Sequence, residues 1–306
     1  MGRARPLRLL RHALETAALA SLAFAARRLP FRAASALGSL LGAVAGRLLP
    51  RRRAIAEENL RSALGLSKTE AARLARRVFR QLGRSFLEFL GLPARSPAEL
   101  DRRITFDEGF ARLEARARSG RGGVLLTAHY GNWEYLGAMV GRRLGGVAYV
   151  FPAQSNRGAD GLLNATRAKL GVELIPMEEG MRRALKRLLR GGSIGLLADQ
   201  DARKIGVHVP FFGRPASTLT GPARLAIRAR CPIYVAVLDR ARPGRFQVRS
   251  LAWIEPHEGA DEGPEVRRLA GAINQALESA IRQRPDHWYW IHRRWKTPPP
   301  AEPATT

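Results

Sequence analysis

Cysteine occurs once in the 306 residues, at Cys231. One thiol excludes an intrachain disulfide framework and a cysteine-rich zinc module. Lysine is almost as scarce. Lys68, Lys169, Lys186, Lys204 and Lys296 are the only ones, so arginine supplies nearly all of the 52 basic residues. Acidic residues number 26, half as many, which leaves a formal charge of +26. An imbalance this large favours anionic partners: an acidic membrane surface, an acidic carrier protein or nucleic acid. A GC-rich coding sequence is the other source of such an arginine and alanine bias. Several chemical signatures are missing as well. The chain has no Walker A loop, no GxGxxG after a strand, no HExxH or CxxC, and no GxSxG elbow. Covalent serine or cysteine catalysis therefore has no support. His129, His208, His257 and His292 are scattered, so no metal or other cofactor is expected. Whole-chain disorder is excluded by 45% hydrophobic and 25% charged residues, and the length suits one or two domains.

The first 50 residues differ from the rest. Arg3, Arg5, Arg8 and Arg11 precede the apolar run 16-TAALASLAFAA-26, which Arg27 and Arg28 close. A second run, 33-AASALGSLLGAVAG-46, ends at Arg47 and the cluster Arg51–Arg53. Neither run alone has the ~20 apolar residues of a spanning helix. The pattern predicts an uncleaved anchor: one or two interfacial helices or a shallow hairpin, with arginines at the headgroups. An alanine-rich helix packed on the domain and a cleaved signal are the competing readings. Arg27 and Arg28, just beyond the signal-like Ala23-Phe24-Ala25, weigh against cleavage and export.

Residues 54–91 have helical spacing, and Ser67 with Glu70 forms a capping-box pattern. Beyond residue 104, strands and helices alternate. Strands are expected at 123–128, 147–151, 172–176, 193–198, 232–238 and 246–251. Helices are expected at 134–143, 160–170, 180–190, 217–230 and 264–283. This alternation predicts an α/β fold with a mainly parallel sheet flanked by helices. The last two strands are close enough to pair as an antiparallel edge. The expected division is a membrane-associated helical segment at 1–50, an α/β domain at 51–297 and a proline-rich disordered tail at 298–306.

Three places carry candidate chemistry. In 124-VLLTAHYGNWEYLG-137, His129 stands at the carboxyl end of a strand, where open α/β sheets place their ligands. Asn132 is a good N-cap, and Glu134 falls in the first turn of the following helix. Across such a corner Glu134 can hold one imidazole nitrogen and make His129 a general base, with helix N–H groups for an oxyanion. A structural histidine at a strand end is the alternative. In 194-IGLLADQDARKIGVHVPFFG-213, Asp199, Gln200 and Asp201 fall at the same sheet edge if the two strands are parallel. They can orient substrate or cap a turn. His208 is expected in a loop. Phe211 and Phe212 line an acyl pocket, dip into lipid or join the core. Third, 286-DHWYWIHRRWK-296 interleaves Trp288, Trp290 and Trp295 with cations. It suits a membrane interface, stacked bases or a packed C-terminal cap.

Eight stretches together resemble the bacterial lipid A biosynthesis acyltransferases, in that family's order and over residues 5–297. They are the N-terminal apolar segment, 56-AEENLRSALG-65, 127-TAHYGNWE-134, 167-RAKLG-171, 196-LLADQD-201, 209-VPFFGRPAST-218, 221-GPARLA-226 and 288-WYWIHRRWKT-297. The resemblance implies a glycerolipid-acyltransferase-like fold and transfer of a fatty acyl chain from acyl carrier protein, or coenzyme A, to a hydroxyl of a lipid A precursor. It implies His129 and Glu134 as the catalytic pair, Asp199 within the site, and Asn132, Gln200, Arg167, Phe211 and Phe212 on the substrate side. The family often has Tyr-Arg-Pro where this chain reads 150-VFP-152, so Phe151 stands in place of an arginine. Arg157 is the nearest substitute. The departure bears on the acceptor more than on the reaction, and a lysophospholipid or a phosphatidylinositol mannoside is the alternative. Acidic carrier protein, lipid acceptor and anionic inner-membrane surface are the expected partners, with the catalytic domain facing the cytoplasm. Nucleic acid would be a partner only if the chain were a non-catalytic basic protein.

Overall fold

The computed structural model describes residues 4–151 and 154–300. The expected disorder of 298–306 falls, from residue 301 onward, outside the described residues. Four long helices open the chain: α1 (Ala4–Arg28), α2 (Phe31–Leu48), α3 (Pro50–Leu64) and α4 (Lys68–Gly91). Ser67 caps α4 through the expected capping box, accepting from the Glu70 N–H while Glu70 reaches back to the Ser67 N–H. A short α5 (Pro97–Asp101) follows, and then the alternating part. Its elements are β1 (Ile104–Thr105), α6 (Glu108–Arg118), β2 (Val124–Thr127), α7 (Trp133–Arg143), β3 (Val147–Phe151), α8 (Arg157–Lys169), β4 (Glu173–Pro176), α9 (Met177–Leu189) and β5 (Ser193–Leu197). The chain continues with β6 (Val207–Phe211), β7 (Arg214–Thr218), α10 (Gly221–Ala229), β8 (Ile233–Arg242), β9 (Arg245–Ile254) and α11 (Glu262–Gln283).

The main sheet has seven strands in the order β1-β9-β8-β2-β5-β3-β4. All neighbours are parallel except β8 and β9, which form the expected antiparallel pair. The two-residue β1 lies outside β9, so β9 is not the edge. Successive side chains on a strand face opposite ways. Val124 and Leu126 therefore enter one core, with α9, α10 and α11, while Leu125 enters the other, with α6 and α7. The sheet is covered on both faces, as parallel strands require.

Two sequence expectations need correction here. The segment holding His208 is not a loop. It is strand β6, paired antiparallel with β7 around Gly213, whose φ is +70°. The helix expected from residue 217 starts later, at Gly221, because Ser217 and Thr218 still belong to β7.

The N-terminal helices pack on the α/β part through small residues. Leu19, Ala23, Ala26 and Phe31 join the same core as Leu125 and Val147. Gly38, Gly42 and Gly46 recur every fourth residue on α2 and face α4. A Cβ on Gly42 would collide with the Phe79 carbonyl oxygen, and one on Gly83 with that of Gly38. The α2 and α4 backbones are in direct contact, which only glycine allows. The opposite faces are apolar and exposed: Leu9, Leu10, Leu14 and Phe24 on α1, and Leu40, Val44 and Leu48 on α2. The α1 helix runs on through Glu15 and the flanking arginines. Arg8–Arg28 thus has the length and composition to cross a membrane, which its apolar run alone has not. The α2–α3 pair bends by 95° at Leu49.

Candidate active site

Strands β2 and β5 are neighbours in register, with Thr127 opposite Leu197. Two residues beyond each paired end come His129 and Asp199, so the sheet delivers them side by side. The His129 backbone N–H donates to Asp199 Oδ2 at 2.9 Å, and its Nδ1 lies 2.8 Å from Asp199 Oδ1. Trp288 Nε1 donates to the same Oδ2 at 2.8 Å. Asp199 is 2% exposed and fully partnered. Burial pushes its carboxyl up, but His129 and the Trp288 donor prevail and its pKa is lowered. Burial pulls His129 down, but the Asp199 charge and hydrogen bond outweigh it and its pKa is raised. An anionic Asp199 therefore fixes the imidazole with Nδ1 as donor and Nε2 turned away as acceptor. Gln200 Nε2 stands 3.5 Å from that Nε2.

The turn after His129 is tightly built. Gly131 has φ +56°, and a Cβ there would strike the Leu238 carbonyl oxygen. Its N–H donates to the His287 carbonyl at 2.8 Å, and its carbonyl accepts from Ser85 Oγ at 2.8 Å. Asn132 caps α7 by accepting from the Tyr135 N–H at 3.1 Å, and its Nδ2 donates to Glu88 Oε2 at 3.0 Å. Glu88 in turn forms a buried bidentate pair with Arg240. Breaking a pair like that costs about 3–5 kcal/mol. Asn132 thus ties the turn to α4 with its own polar atoms.

Glu134 does not orient His129 here, contrary to the expectation from spacing. Its carboxylate takes Arg167 of α8 bidentately, with Nε to Oε2 at 3.0 Å and Nη2 to Oε1 at 2.5 Å. Arg167 also donates from Nη1 to Asn164 Oδ1 at 2.7 Å. The reason is geometric: Asp199 already occupies Nδ1, and α8 brings a cation to the first turn of α7. Glu134 acts on His129 through its charge, which raises the imidazole pKa in the same direction as Asp199.

Around this polar centre lies a cleft of about 710 Å³. Its walls include Leu19 and Leu22 of α1, Leu41 and Ala45 of α2, and Phe79, Leu82 and Phe86 of α4. His129, Glu134, Phe151, Arg167 and Tyr289 line it too. Phe151, standing where an arginine was expected, lies with its ring centroid 6.0 Å from the Arg167 guanidinium. Trp133 and Tyr289 flank the His129 ring at 5.1 and 5.6 Å between centroids. Trp133 was not singled out from the sequence, and Trp288 and Tyr289 only as part of the C-terminal aromatic run. The aromatic run 288–295 was the sequence signal for Trp288 and Tyr289, but their place at the site comes from the fold, in which Trp288 bridges to Tyr130 beside His129.

Other expected site residues lie elsewhere. Phe211 and Phe212 are buried among Trp288, Trp290 and Trp295, so they are core and line no acyl pocket. Arg157 is exposed at the start of α8, in a groove with His12 and Thr16 of α1, away from His129. The C-terminal aromatic run is a packed cap. Within it Arg294 is wholly buried, donating to the Ser217 carbonyl and to Thr218 Oγ1.

A histidine–carboxylate pair opening into an apolar cleft is suited to deprotonating a hydroxyl beside an acyl chain. A family model for bacterial lipid A biosynthesis acyltransferases matches residues 1–297. The chain belongs to that family. Among curated members of related function, the lipid A biosynthesis palmitoleoyltransferase of Escherichia coli K12 is 25% identical over 279 residues, 90% of this chain and 89% of that one. The lauroyltransferase of the same organism is 26% identical over 283 residues, 90% of each chain. A phosphatidylinositol mannoside acyltransferase of Mycobacterium tuberculosis is 25% identical over 221 residues, 70% of this chain and 67% of its own. As a lipid A-type acyltransferase, this chain is an enzyme of lipid or glycolipid acylation.

Proposed function

We propose that this protein is a membrane-associated O-acyltransferase that moves a fatty acyl chain from acyl carrier protein to a hydroxyl of a lipid A precursor. The observation that carries the reading is the His129–Asp199 pair at the polar end of the apolar cleft. Asp199 holds the Nδ1–H. Nε2 of His129 takes the acceptor hydroxyl proton as the oxygen attacks the thioester carbonyl. The tetrahedral intermediate then collapses, the C–S bond breaks, and the imidazolium returns the proton to the leaving thiolate. Atoms balance without a covalent enzyme intermediate. The Gln200 amide and the amino end of α7 are the nearby donors for the oxyanion. Arg167 has five N–H donors, of which three are engaged, so it keeps donors for the acceptor headgroup.

The formal charge of +26 suits an acidic carrier protein and an anionic bilayer. The exposed apolar faces of α1 and α2 suit seating in the bacterial inner membrane, with the sheet on the cytoplasmic side. The longer coverage of the two Escherichia coli relatives favours a lipid A precursor as acceptor. Phe151 and the mycobacterial relative favour a second reading, a glycolipid such as a phosphatidylinositol mannoside.

The test is acyl transfer by the detergent-solubilised protein. It receives mixed acyl-carrier-protein chain lengths with tetra-acylated lipid A precursor or with phosphatidylinositol mannoside, and products are read by mass. One added acyl group, lost in His129→Ala, supports the reaction and identifies the acceptor. Equal transfer by His129→Ala removes the mechanism, and transfer to neither acceptor removes both acceptor readings.

A further inference from the structure

A second pocket lies on the far side of α4. Helix α4 turns Phe79, Leu82 and Phe86 to the acyl cleft. Arg77, Gln81 and Arg84, spaced by four and three residues, share its opposite face. There they line a pocket of about 520 Å³ together with Arg240, Arg242, Arg284, Asp286 and His287.

Most of its positive charge is uncompensated. Arg77 pairs with Asp286 at 2.9 Å, and Arg240 pairs with Glu88. Arg84, Arg242 and Arg284 have no carboxylate partner among the described residues; Arg284 donates only to the Arg240 carbonyl. Burial and the neighbouring Arg240 charge lower the Arg84 pKa, and the opposing Glu88 and Asp286 charges do not offset them. A buried donor is also spare. Gln81 is 4% exposed; its Oε1 accepts from Arg240 Nε at 3.3 Å, while its Nε2 has no partner. Leaving such a group unpaired is costly. Three unpaired guanidinium groups and a spare amide donor suit a multiply charged oxyanion, which planar arginine forks bind bidentately.

We propose that this pocket binds a phosphate monoester at a site separate from the His129 cleft. The pocket and the catalytic turn share a wall, since His287 lines the one and its carbonyl accepts the Gly131 N–H of the other. The monoester is presented either by a lipid headgroup or by a soluble phosphoester, because both offer the same dianion.

The probe is inorganic phosphate, added to the purified full-length protein in detergent. Thermal unfolding is compared with chloride at matched ionic strength, since a ligand that binds only the folded state raises Tm. Phosphate is expected to raise Tm where chloride does not. Arg84→Gln and Arg242→Gln are each expected to weaken the phosphate response about tenfold or more, and the exposed Arg118→Gln to leave it intact. Without phosphate, both pocket variants should melt no lower than wild type, because they relieve repulsion; a purely structural arginine would behave oppositely. Flotation with phosphatidic acid vesicles, against phosphatidylcholine, separates the sources. Binding that depends on Arg84 and that phosphate displaces identifies a headgroup; a response to soluble phosphate alone identifies a soluble ester. A phosphate response that survives in both variants, or an equal response to chloride, overturns the site.

Discussion

Asp199 grips His129 at two points, its backbone N–H at 2.9 Å and its Nδ1 at 2.8 Å. One carboxylate therefore fixes both the chain position and the tautomer of the imidazole. Asp199→Asn should keep the fold and lower kcat by about 10²–10⁴-fold, with little change in KM. The pH profile tests the electrostatics. The folded-state pKa of His129 is raised, so the base is lost by protonation at a higher pH than for an ordinary histidine. Removing the Asp199 charge should move the acid limb of kcat to lower pH. An unmoved limb in a correctly folded Asp199→Asn protein would mean that Asp199 does not set the His129 charge state.

Glu134 has a different task, since its carboxylate is spent on Arg167. Both side chains are less than one-fifth exposed, so an arginine left alone there is costly. Glu134→Gln and Arg167→Gln should each raise KM for the acceptor, and the double variant should be no worse than either single one. A coupling energy of about 0.5–3 kcal/mol is expected from the double-mutant cycle. Strict additivity, or a shift of the acid limb in Glu134→Gln as large as in Asp199→Asn, would return the orienting role to Glu134.

The contrast between these two carboxylates shows what the sequence could and could not reveal. His129 and Asp199 were legible as strand-end residues on one sheet edge. Their direct contact depends on β2 and β5 being neighbours, a pairing between strands 70 residues apart that no local pattern encodes. The spacing of His129 and Glu134 suggested a pair because both lie in one short segment. Arg167 competes from α8, 33 residues away, and wins Glu134. Phe211 and Phe212 had an apolar signal compatible with a pocket wall or with core. The β6–β7 hairpin decides for core by folding them onto the C-terminal tryptophans. The run 33–46 was read only as apolar, because the contact that gives its glycines meaning lies on α4 opposite it.

That glycine contact yields a stability prediction. At Gly42 an added methyl meets the Phe79 carbonyl, a backbone atom that cannot rotate aside. Overpacking of this kind costs about 1–3 kcal/mol. Gly42 also lines the acyl cleft beside Leu41 and Ala45. Gly42→Ala should therefore lower Tm and change the preferred acyl chain length. Gly263→Ala, where a Cβ meets open space, is the control that should do neither. A Gly42→Ala protein with unchanged Tm would mean that α2 can lift from α4 at little cost.

The two faces of α1 should separate membrane attachment from folding. Leu10 and Leu14 are 58% and 62% exposed, whereas Leu19 is 8% exposed and belongs to the core and the cleft wall. Moving a leucine from water into hydrocarbon gains about 1.5–3 kcal/mol. Leu10→Ser and Leu14→Ser should each weaken vesicle binding roughly tenfold or more, with stability in detergent within about 0.5 kcal/mol of wild type as expected for surface changes. Leu19→Ser should do the reverse, lowering Tm by the cost of a polar group and a void in the core and changing acyl transfer. Flotation and thermal unfolding of the same three proteins decide it. If Leu10→Ser and Leu14→Ser lose stability but not vesicle binding, the outer face of α1 is covered by protein and the bilayer is held elsewhere.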